Sequence, residues 1–352
     1  MYKVLIIQET ITEYRVPIFN LLAKHVDLTV AFSKGEVLSK TEFNTLKLSL
    51  YKIPKIGRYY KENIKKIAND YDVIIGPLDT SLKSIYRLAN SNEKYKFIYW
   101  GIGVSAGYNA RFDENKKNDA NFIDAINKAD ATIFYSDYPI EKYGQLGIDI
   151  NKLFVANNTV HVLQSKFEVH ERSSLLFIGT LYKQKRIDLL LDNYKRAYSI
   201  NSNIPNLIII GDGDERTNIE KWIIDAGLKH KIKMVGAVYE ENKLKDYFNK
   251  AIVCISPDQA GLSVLKSMGY GVPFITSRNA ITGGEIFNIH NGKDGIIINN
   301  YDDICNIIID ISENLQKYLS MGFEAQKYYN CFRKPSDMVE GFLNAINYVM
   351  KN

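Results

Sequence analysis

Twelve short apolar runs recur along this 352-residue chain, and most of them are followed by a polar loop and a helical pattern. Runs of Val, Ile, Leu and Phe without polar alternation are typical of strands buried on both faces, as in parallel sheets covered by helices. The succession of strand and helix therefore predicts an α/β fold. The predicted strands are KVLIIQ, DLTVAF, DVIIG, KFIYWG, ATIFYS, LFVAN, SLLFIGT, NLIIIGDG, IKMVG, AIVCISP, PFITS and DGIIIN.

The strands fall into two sets, separated by a polar stretch over residues 157–174. Because a chain of this length exceeds one ordinary core, we expect two doubly wound, Rossmann-like domains that face each other across a deep cleft. The predicted boundaries are 1–158 for the N-terminal domain and 159–332 for the C-terminal domain, with a final helix over 333–352 that returns toward the first domain. Ligands of such folds bind at the carboxyl ends of the strands.

The composition excludes several classes of protein. A net charge of +5, with 24% charged and 46% hydrophobic residues, is typical of a globular protein without a nucleic-acid partner. The three cysteines and five histidines have no ligand spacing, so we expect a reducing compartment, no metal site and no cofactor. Since no apolar run is long enough to span a bilayer and the N-terminus reads as a strand, we expect a cytoplasmic protein.

Basic residues cluster in the stretch 52–66, where Glu62 is the one acid among six cations. One interpretation is a solvated helix face. The other is a surface for an anionic membrane or a phosphate-bearing acceptor, which would bring the protein to the inner face of the cell membrane as a peripheral protein. The six cations are Lys52, Lys55, Arg58, Lys61, Lys65 and Lys66.

A strand, a turn and a helix meet in SPDQAGLSVLKSMGYGVPF, residues 256–274. Asp258 ends the strand, and Gly261 is expected to open a helix that carries one charge, Lys266. The first N–H groups of a helix have no partner within it, so those of Ala260, Gly261, Leu262 and Ser263 are candidates for binding a phosphate. The alternative is an ordinary tight turn with Asp258 as its cap.

Two further loops follow strands of the second set. Gly179 and Thr180 end a strand just before Lys183, Lys185 and Arg186. Cations at a helix start suggest a bound anion because they oppose the helix dipole; the alternative is a set of ordinary surface cations. Gly211 and Gly213 follow the next strand. They do not form a dinucleotide fingerprint, since Arg216 stands where the third glycine is required.

These segments together resemble the retaining glycosyltransferases of family 4, which have the GT-B fold. The motifs are IGTLYKQKRIDLLL, IIIGDGDER, VGAV and the stretch 256–274, and the resemblance covers about residues 174–300 well. It implies a donor diphosphate held by Lys185, with Thr180 standing where the family has arginine. It also implies a nucleotide base near Gly211, Gly213, Val238 and Tyr239.

The family's hallmark is a pair of glutamates separated by seven residues, of which the first contacts the donor sugar and the second the ribose. Asp258 and Lys266 occupy those two positions here. An ammonium cannot accept a hydrogen bond, so nucleotide recognition must differ from the family's form. We expect Lys266 to contact the nucleotide, to neutralise Asp258 or Glu285, or to extend to solvent. Asp258 and Lys185 are the expected catalytic residues; Arg186 and Glu285 complete the expected donor site.

The first domain is expected to bind the acceptor. Arg15 is a candidate for a phosphate or an acidic sugar, with a surface ion pair as the alternative. Relatives often carry a histidine near Trp100, but Ile102 offers none, so no general base is assigned. The expected acceptor residues are Tyr14, Arg15, Trp100, Gly101, Gly103 and Asn158.

The resemblance implies a metal-independent, retaining transfer of a sugar from a nucleotide sugar to a glycan or lipid-linked acceptor, in cell-surface polysaccharide or O-antigen assembly. UDP- and GDP-sugars are favoured over CMP-sugars. Two other functions fit the same fold: a nucleotide-sugar epimerase, and a catalytically weak nucleotide-sugar-binding subunit.

Overall fold

The computed structural model describes residues 1–37, 39–89, 93–107, 111–163 and 172–351. The chain divides into two compact units. Residues 164–171, which belong to the predicted linker, lie outside the described part. Unit 1 comprises Met1–Ala106, Asp113–His161 and Arg333–Asn352, and unit 2 comprises Gly107–Phe112 and Val162–Phe332.

Unit 1 is built on a parallel sheet of seven strands in the order β3-β2-β1-β6-β7-β8-β9. A separate antiparallel hairpin, β4–β5, lies outside this sheet. The strands are β1 Lys3–Ile7, β2 Asp27–Phe32, β3 Asn44–Lys47, β4 Leu50–Ile53, β5 Gly57–Tyr60, β6 Val73–Pro77, β7 Lys96–Gly101, β8 Ala131–Phe134 and β9 Leu153–Val155.

Helices cover both faces of this sheet, as its buried strands require. The C-terminal helix α12 packs into the same core as the first strand and α1, through Met338, Phe342 and Ile346. The helices of unit 1 are α1 Val16–Ala23, α2 Ile64–Ala68, α3 Lys83–Ala89, α4 Asp119–Lys128, α5 Tyr138–Gln145 and α12 Pro335–Lys351.

Unit 2 contains a parallel sheet of six strands in the order β12-β11-β10-β13-β15-β17. Its register is regular at the centre, where Ser174 to Ile178 pair with Asn206 to Ile210. A two-stranded parallel ladder, β14–β16, stands apart from it. The strands are β10 Ser174–Ile178, β11 Asn206–Ile210, β12 Ile232–Gly236, β13 Ala251–Ile255, β14 Gln259–Ala260, β15 Phe274–Ser277, β16 Ile281–Thr282 and β17 Gly295–Ile298.

The helices of unit 2 bury their apolar faces on this sheet. Leu190, Leu191 and Tyr194 of the helix Ile187–Ile200 belong to the same hydrophobic core as strand residues such as Phe177 and Ile209. The helices are α6 Ile187–Ile200, α7 Arg216–Asp225, α8 Glu241–Lys250, α9 Ser263–Gly269, α10 Asp303–Glu313 and α11 Leu315–Phe332.

All twelve predicted strands are confirmed, together with the α/β class and the parallel pairing. The stretch 52–66 is not one helix face: its first half forms the β4–β5 hairpin, and Lys65 and Lys66 lie on the five-residue helix α2. Among the helices of the described residues, none is long and apolar enough to cross a membrane.

Candidate functional site

Two loops at the carboxyl edge of the unit 2 sheet are joined by backbone hydrogen bonds. The Gly179 N–H donates to the Ile210 carbonyl at 2.9 Å, and the Leu181 N–H donates to the Asp212 carbonyl at 2.9 Å. The loop after β10 and the loop after β11 therefore form one continuous backbone surface. This surface contains Gly179 and Gly211, both of which were expected at the donor site.

Glycine is required in these loops because the chains approach too closely for a side chain. A Cβ atom on Gly211 would lie 1.9 Å from the Gly179 carbonyl oxygen, and one on Gly213 would lie 2.4 Å from the Leu181 oxygen. Gly211 also has a φ of 148°, which L-residues rarely adopt. Gly211 and Gly213, which do not form a dinucleotide fingerprint, thus allow the loops after β10 and β11 to pack closely.

Substituting Gly211 by alanine is expected to destabilise unit 2 by about 2 kcal/mol, because a methyl group would force the two loops apart. Thermal or urea unfolding measures the change. Gly261→Ala is the matched control, since a Cβ there would meet no atom within 4 Å. Equal stability of the two variants would contradict this assignment.

Lys185 is the principal charged group of this surface. Lys185 is 8% exposed. Its Nζ lies 2.0 Å from the position that a Cβ atom on Gly179 would take, so only glycine leaves room for the ammonium. The rings of Phe177 and Tyr182 flank it at 5.8 and 5.4 Å from their centroids. Burial lowers the pKa of Lys185 to about 8. Within the described residues no hydrogen-bond acceptor or carboxylate contacts the ammonium, and a buried charge without such a partner is costly.

The neighbouring cations behave differently. Arg186 adopts a left-handed backbone conformation and pairs with Asp188, at 3.1 Å between its Nη2 and Oδ2. Thr180 and Lys183 are exposed. Of the three cations in this segment, Lys185 alone is both buried and without a partner among the described residues.

Asp258 lies on the turn that follows β13. Its Oδ1 accepts hydrogen bonds from the Tyr301 hydroxyl at 2.7 Å and from the Ser277 hydroxyl at 3.3 Å. Burial and this bond raise the pKa of Tyr301. The carboxylate is thus held by one of its two oxygens, which leaves acceptor capacity on the other. Sequence reasoning missed Tyr301 and Ser277, since nothing in the sequence indicates which hydroxyls converge on Asp258.

The helix after this turn begins at Ser263 rather than Gly261, because Gln259 and Ala260 form the short strand β14. The N–H groups of Gly261, Leu262 and Ser263 have no acceptor among the described residues. The next N–H, that of Val264, donates to the Gly261 carbonyl at 2.9 Å. Tyr182 joins this turn to the Lys185 loop, since its hydroxyl donates to Gln259 at 2.6 Å.

Lys266 does not neutralise Asp258 or Glu285, so that expectation is wrong. Its ammonium pairs with Glu241 at the start of α8, and its side chain is 15% exposed. The Tyr270 hydroxyl donates to the other oxygen of Glu241 at 3.4 Å. At the position where the resemblance implies a second glutamate, the carboxylate is therefore supplied by a different helix, next to Lys266.

The remaining expected donor residues are spread along the same edge. Val238 and Tyr239 follow β12, and the Tyr239 side chain is 88% exposed. Glu285 is buried and accepts the N–H of Gly283 at 2.9 Å and the Thr282 hydroxyl at 3.3 Å. Glu285 therefore supports the loop after β16 through its own neighbours.

In unit 1, Arg15 is neither a surface ion pair nor an exposed side chain. Its guanidinium lies 4.9 to 5.3 Å from the ring centroids of Tyr14, Trp100 and Tyr135. One nitrogen donates to Asn158 Oδ1 at 2.7 Å. The cation is stabilised by aromatic rings and an amide, and within the described residues no carboxylate contacts it.

The other expected acceptor residues have mixed outcomes. Trp100 is 2% exposed and packs on Phe19 and Phe342, so its side chain belongs to the core and not to a binding surface. Gly103 is required by packing, because a Cβ would lie 2.5 Å from Phe134. Gly101 ends β7, and Tyr14 is 38% exposed. Among the described residues no three His, Cys, Asp or Glu side chains form a group that could hold a metal ion.

The two Rossmann-like units define the GT-B fold, which solved glycosyltransferase structures share along nearly the whole chain. Anabaena Alr3699/HepE, solved in complex with UDP, aligns with a TM-score of 0.75 at 14% identity, covering 98% of this chain and 99% of that one. The lipopolysaccharide outer core galactosyltransferase WaaB, in its apo form, aligns with a TM-score of 0.68 at 16% identity, covering 98% and 99%.

Comparison with family models finds a match in the second unit. Residues 163–328 match the model of the family described as Glycosyl transferases group 1, which is just under half of the chain. An uncharacterized glycosyltransferase of Methanocaldococcus jannaschii is 28% identical over 110 residues, which cover 30% of this chain and 27% of that relative. The matched segment of this chain thus spans about a quarter of that relative's length.

Proposed function

We propose that this protein is a glycosyltransferase that takes a nucleotide sugar as donor and binds it at the carboxyl edge of the unit 2 sheet. The observation that carries the proposal is the buried ammonium of Lys185, which has no partner among the described residues and lies beside a glycine backbone. A buried charge without a partner is costly, so the site is built to receive an anion. The match of residues 163–328 to Glycosyl transferases group 1 supports a diphosphate as that anion.

The donor is held in three places. Its diphosphate contacts Lys185 and the free N–H groups of residues 261–263. Its sugar donates hydroxyl hydrogen bonds to the unused oxygen of Asp258, a role that suits a carboxylate fixed by Tyr301. Its ribose hydroxyls donate to Glu241, which supplies the acceptor that Lys266 cannot. UDP is the proposed nucleotide, because the solved neighbour HepE was crystallised in complex with UDP.

Catalysis then depends on stabilising the leaving nucleoside diphosphate. Negative charge develops on the diphosphate as the bond to the sugar breaks, and a preformed ammonium and N–H groups stabilise it without reorganisation. We propose that this cation replaces a metal ion, and that the sugar is transferred with retention. The acceptor is a glycan or a lipid-linked glycan, as in surface polysaccharide assembly; the name of the neighbour WaaB supports this class.

A calorimetric binding panel tests the nucleotide assignment. UDP is expected to bind more tightly than GDP or CMP, and EDTA is expected to leave UDP binding unchanged. Failure of all three nucleotides to bind would contradict the proposed function. Loss of UDP binding in EDTA, with recovery on adding magnesium, would contradict metal independence alone.

Replacing Glu241 by glutamine is expected to weaken UDP binding about tenfold, because an amide is a poorer acceptor than a carboxylate for the ribose hydroxyls. The same variant should lose the preference for UDP over 2′-deoxy-UDP. Both effects are measured by titration calorimetry. A variant that retains the full preference for UDP would remove Glu241 from the ribose site.

A charge exchange provides the control. Lys266→Glu alone brings two carboxylates together and should weaken UDP binding, since like charges repel strongly in a partly buried site. Combining Lys266→Glu with Glu241→Lys restores an ion pair and puts a carboxylate on α9, where relatives have it. The double variant should therefore recover most of the affinity for UDP. No recovery would contradict the proposal that a carboxylate at either position can accept the ribose hydrogen bonds.

A further inference from the structure

A cavity lies at the edge of the unit 2 sheet opposite the Lys185 site, where the strands begin. It has a volume of about 510 Å³ and is lined by residues that precede or open β10, β11, β12 and β13. The cavity reaches the third residue of β11 and of β12, Ile208 and Met234, whereas Lys185 follows the carboxyl end of β10. A ligand here leaves the carboxyl edge free.

Four lysines surround this cavity: Lys229, Lys231, Lys233 and Lys250. Among the described residues that line it, none is acidic. Lys231 donates to the Ile204 carbonyl at 3.2 Å, and none of the four forms an ion pair with any described residue. The lysines therefore produce a local positive potential that no ion pair with a described residue offsets.

The basic stretch 52–66 of unit 1 differs in this respect. Arg58 pairs with Glu9, at 2.9 Å between Nη1 and Oε2, and with Asp79. Lys65 pairs with Glu93 at 2.6 Å. Two of its six cations are thus neutralised by carboxylates, whereas none of the four cavity lysines forms an ion pair with a described residue.

The lysine cavity also has an apolar floor, formed by Leu207, Ile208, Ile232 and Met234. An adjoining hollow of about 240 Å³ shares Lys229, Ile232 and Met234 with it and adds Ile223 and Ile224. Ile224 is 53% exposed. The single acid of this hollow, Glu220, accepts a hydrogen bond from Arg216 at 2.9 Å. Apolar surface next to unpaired lysines matches the chemistry of a phospholipid, which joins a phosphate to hydrocarbon.

We propose that this edge of unit 2 is a membrane-docking surface for anionic phospholipids, with the headgroup phosphate among the four lysines and hydrocarbon against Ile224. A free phosphate would use the lysines but leave the apolar hollow in water, so the lipid is the better fit. The proposal stands independently of the proposed enzymatic activity, because its test measures binding to vesicles.

Vesicle sedimentation provides the test. The whole protein is expected to bind vesicles of phosphatidylcholine and phosphatidylglycerol in equal parts, and not vesicles of phosphatidylcholine alone. Combining Lys229→Gln, Lys233→Gln and Lys250→Gln should weaken binding about 100-fold, at about fivefold per lysine. Ile224→Ser should weaken binding further, and its effect should persist at high salt because it does not depend on charge.

Two matched triple variants remove the same charge elsewhere. The first combines Lys24→Gln, Lys293→Gln and Lys327→Gln, and the second combines Lys52→Gln, Lys61→Gln and Lys66→Gln in the unit 1 stretch. Both should bind vesicles within about threefold of wild type, and circular dichroism checks that every variant is folded. Equal loss in either control would overturn the proposal, as would protection from thermal unfolding by inorganic phosphate without any vesicle binding.

Discussion

Lys185→Met is expected to weaken UDP binding by about 3 kcal/mol, which is more than a hundredfold, while making the unliganded protein more stable. Both effects have one cause. The ammonium is buried without a partner among the described residues. It should therefore destabilise the empty site and strongly stabilise the diphosphate that we propose binds there. Methionine keeps a long flexible side chain and removes the charge. Calorimetry measures the first effect and thermal unfolding the second.

The pH dependence of stability follows from the same group. Burial lowers the pKa of Lys185 to about 8 in the folded protein, whereas the ordinary pKa of a lysine, which applies to the unfolded chain, is 10.5. Between these values the unfolded chain binds more protons, so the free energy of unfolding rises with pH, by about 3 kcal/mol in total. The variant lacks this contribution; its stability advantage should be largest below pH 8 and should disappear near pH 10.5. UDP affinity should run in the opposite direction and fall as the pH rises above 8.

Lys183→Met is the control for this prediction, because Lys183 lies in the same segment but is exposed. Its UDP affinity should stay within about threefold of wild type, as befits a solvated charge. If Lys185→Met bound UDP as wild type does, Lys185 would be a buried structural lysine and not a diphosphate ligand.

Asp258→Asn is expected to reduce turnover by about 10²- to 10³-fold while leaving UDP affinity within about threefold of wild type. Asparagine retains an oxygen that can accept the Tyr301 and Ser277 hydrogen bonds, so the turn should keep its shape. What is lost is the negative charge that we propose accepts hydrogen bonds from the donor sugar. Since UDP carries no sugar beyond its ribose, its binding should not sense the change.

Steady-state rates with the full nucleotide sugar, set beside calorimetry with UDP, measure this difference. Asp225→Asn is a suitable control, because Asp225 is exposed at the end of α7. Wild-type turnover in Asp258→Asn would exclude a catalytic role. An equal loss of UDP affinity and turnover would indicate that the substitution damaged the turn.

The strands could be predicted from the sequence because runs such as AIVCI and NLIII are apolar on both faces and bounded by polar loops. The β4–β5 hairpin could not, since LYKIPKIGRYY lacks regular alternation and carries Pro54 and several cations. Helix α9 begins at Ser263, two residues after the predicted start at Gly261, because Gln259 and Ala260 pair with Ile281 and Thr282. That pairing is a tertiary contact, which the local sequence does not indicate. Local apolar patterns thus predict the strands of the two sheets, but they do not predict the hairpin or the short ladder that change the loops between them.

Some site residues could be located from the strand pattern, and others are located by long-range packing. Lys185 and Asp258 follow buried strands, so their place at the carboxyl edge could be predicted. The partner of Lys266 could not, because Glu241 lies 25 residues away on another helix. Arg15 is a further example: its surroundings come from Trp100, Tyr135 and Asn158, which are distant in sequence. Packing between distant segments decides which side chains meet, and the local sequence around each residue does not indicate those partners.

The central claim is that unit 2 binds a nucleotide sugar for transfer, and incubating the protein with UDP-sugars in the absence of acceptor tests it most directly. Proton NMR should detect slow release of UDP and free sugar by the wild-type protein, initially with the anomeric configuration of the donor, and no release by Asp258→Asn. Conversion of the nucleotide sugar to its epimer would contradict transfer and identify an epimerase. Tight binding without any release, even when glycan acceptors are added, would identify a binding subunit instead.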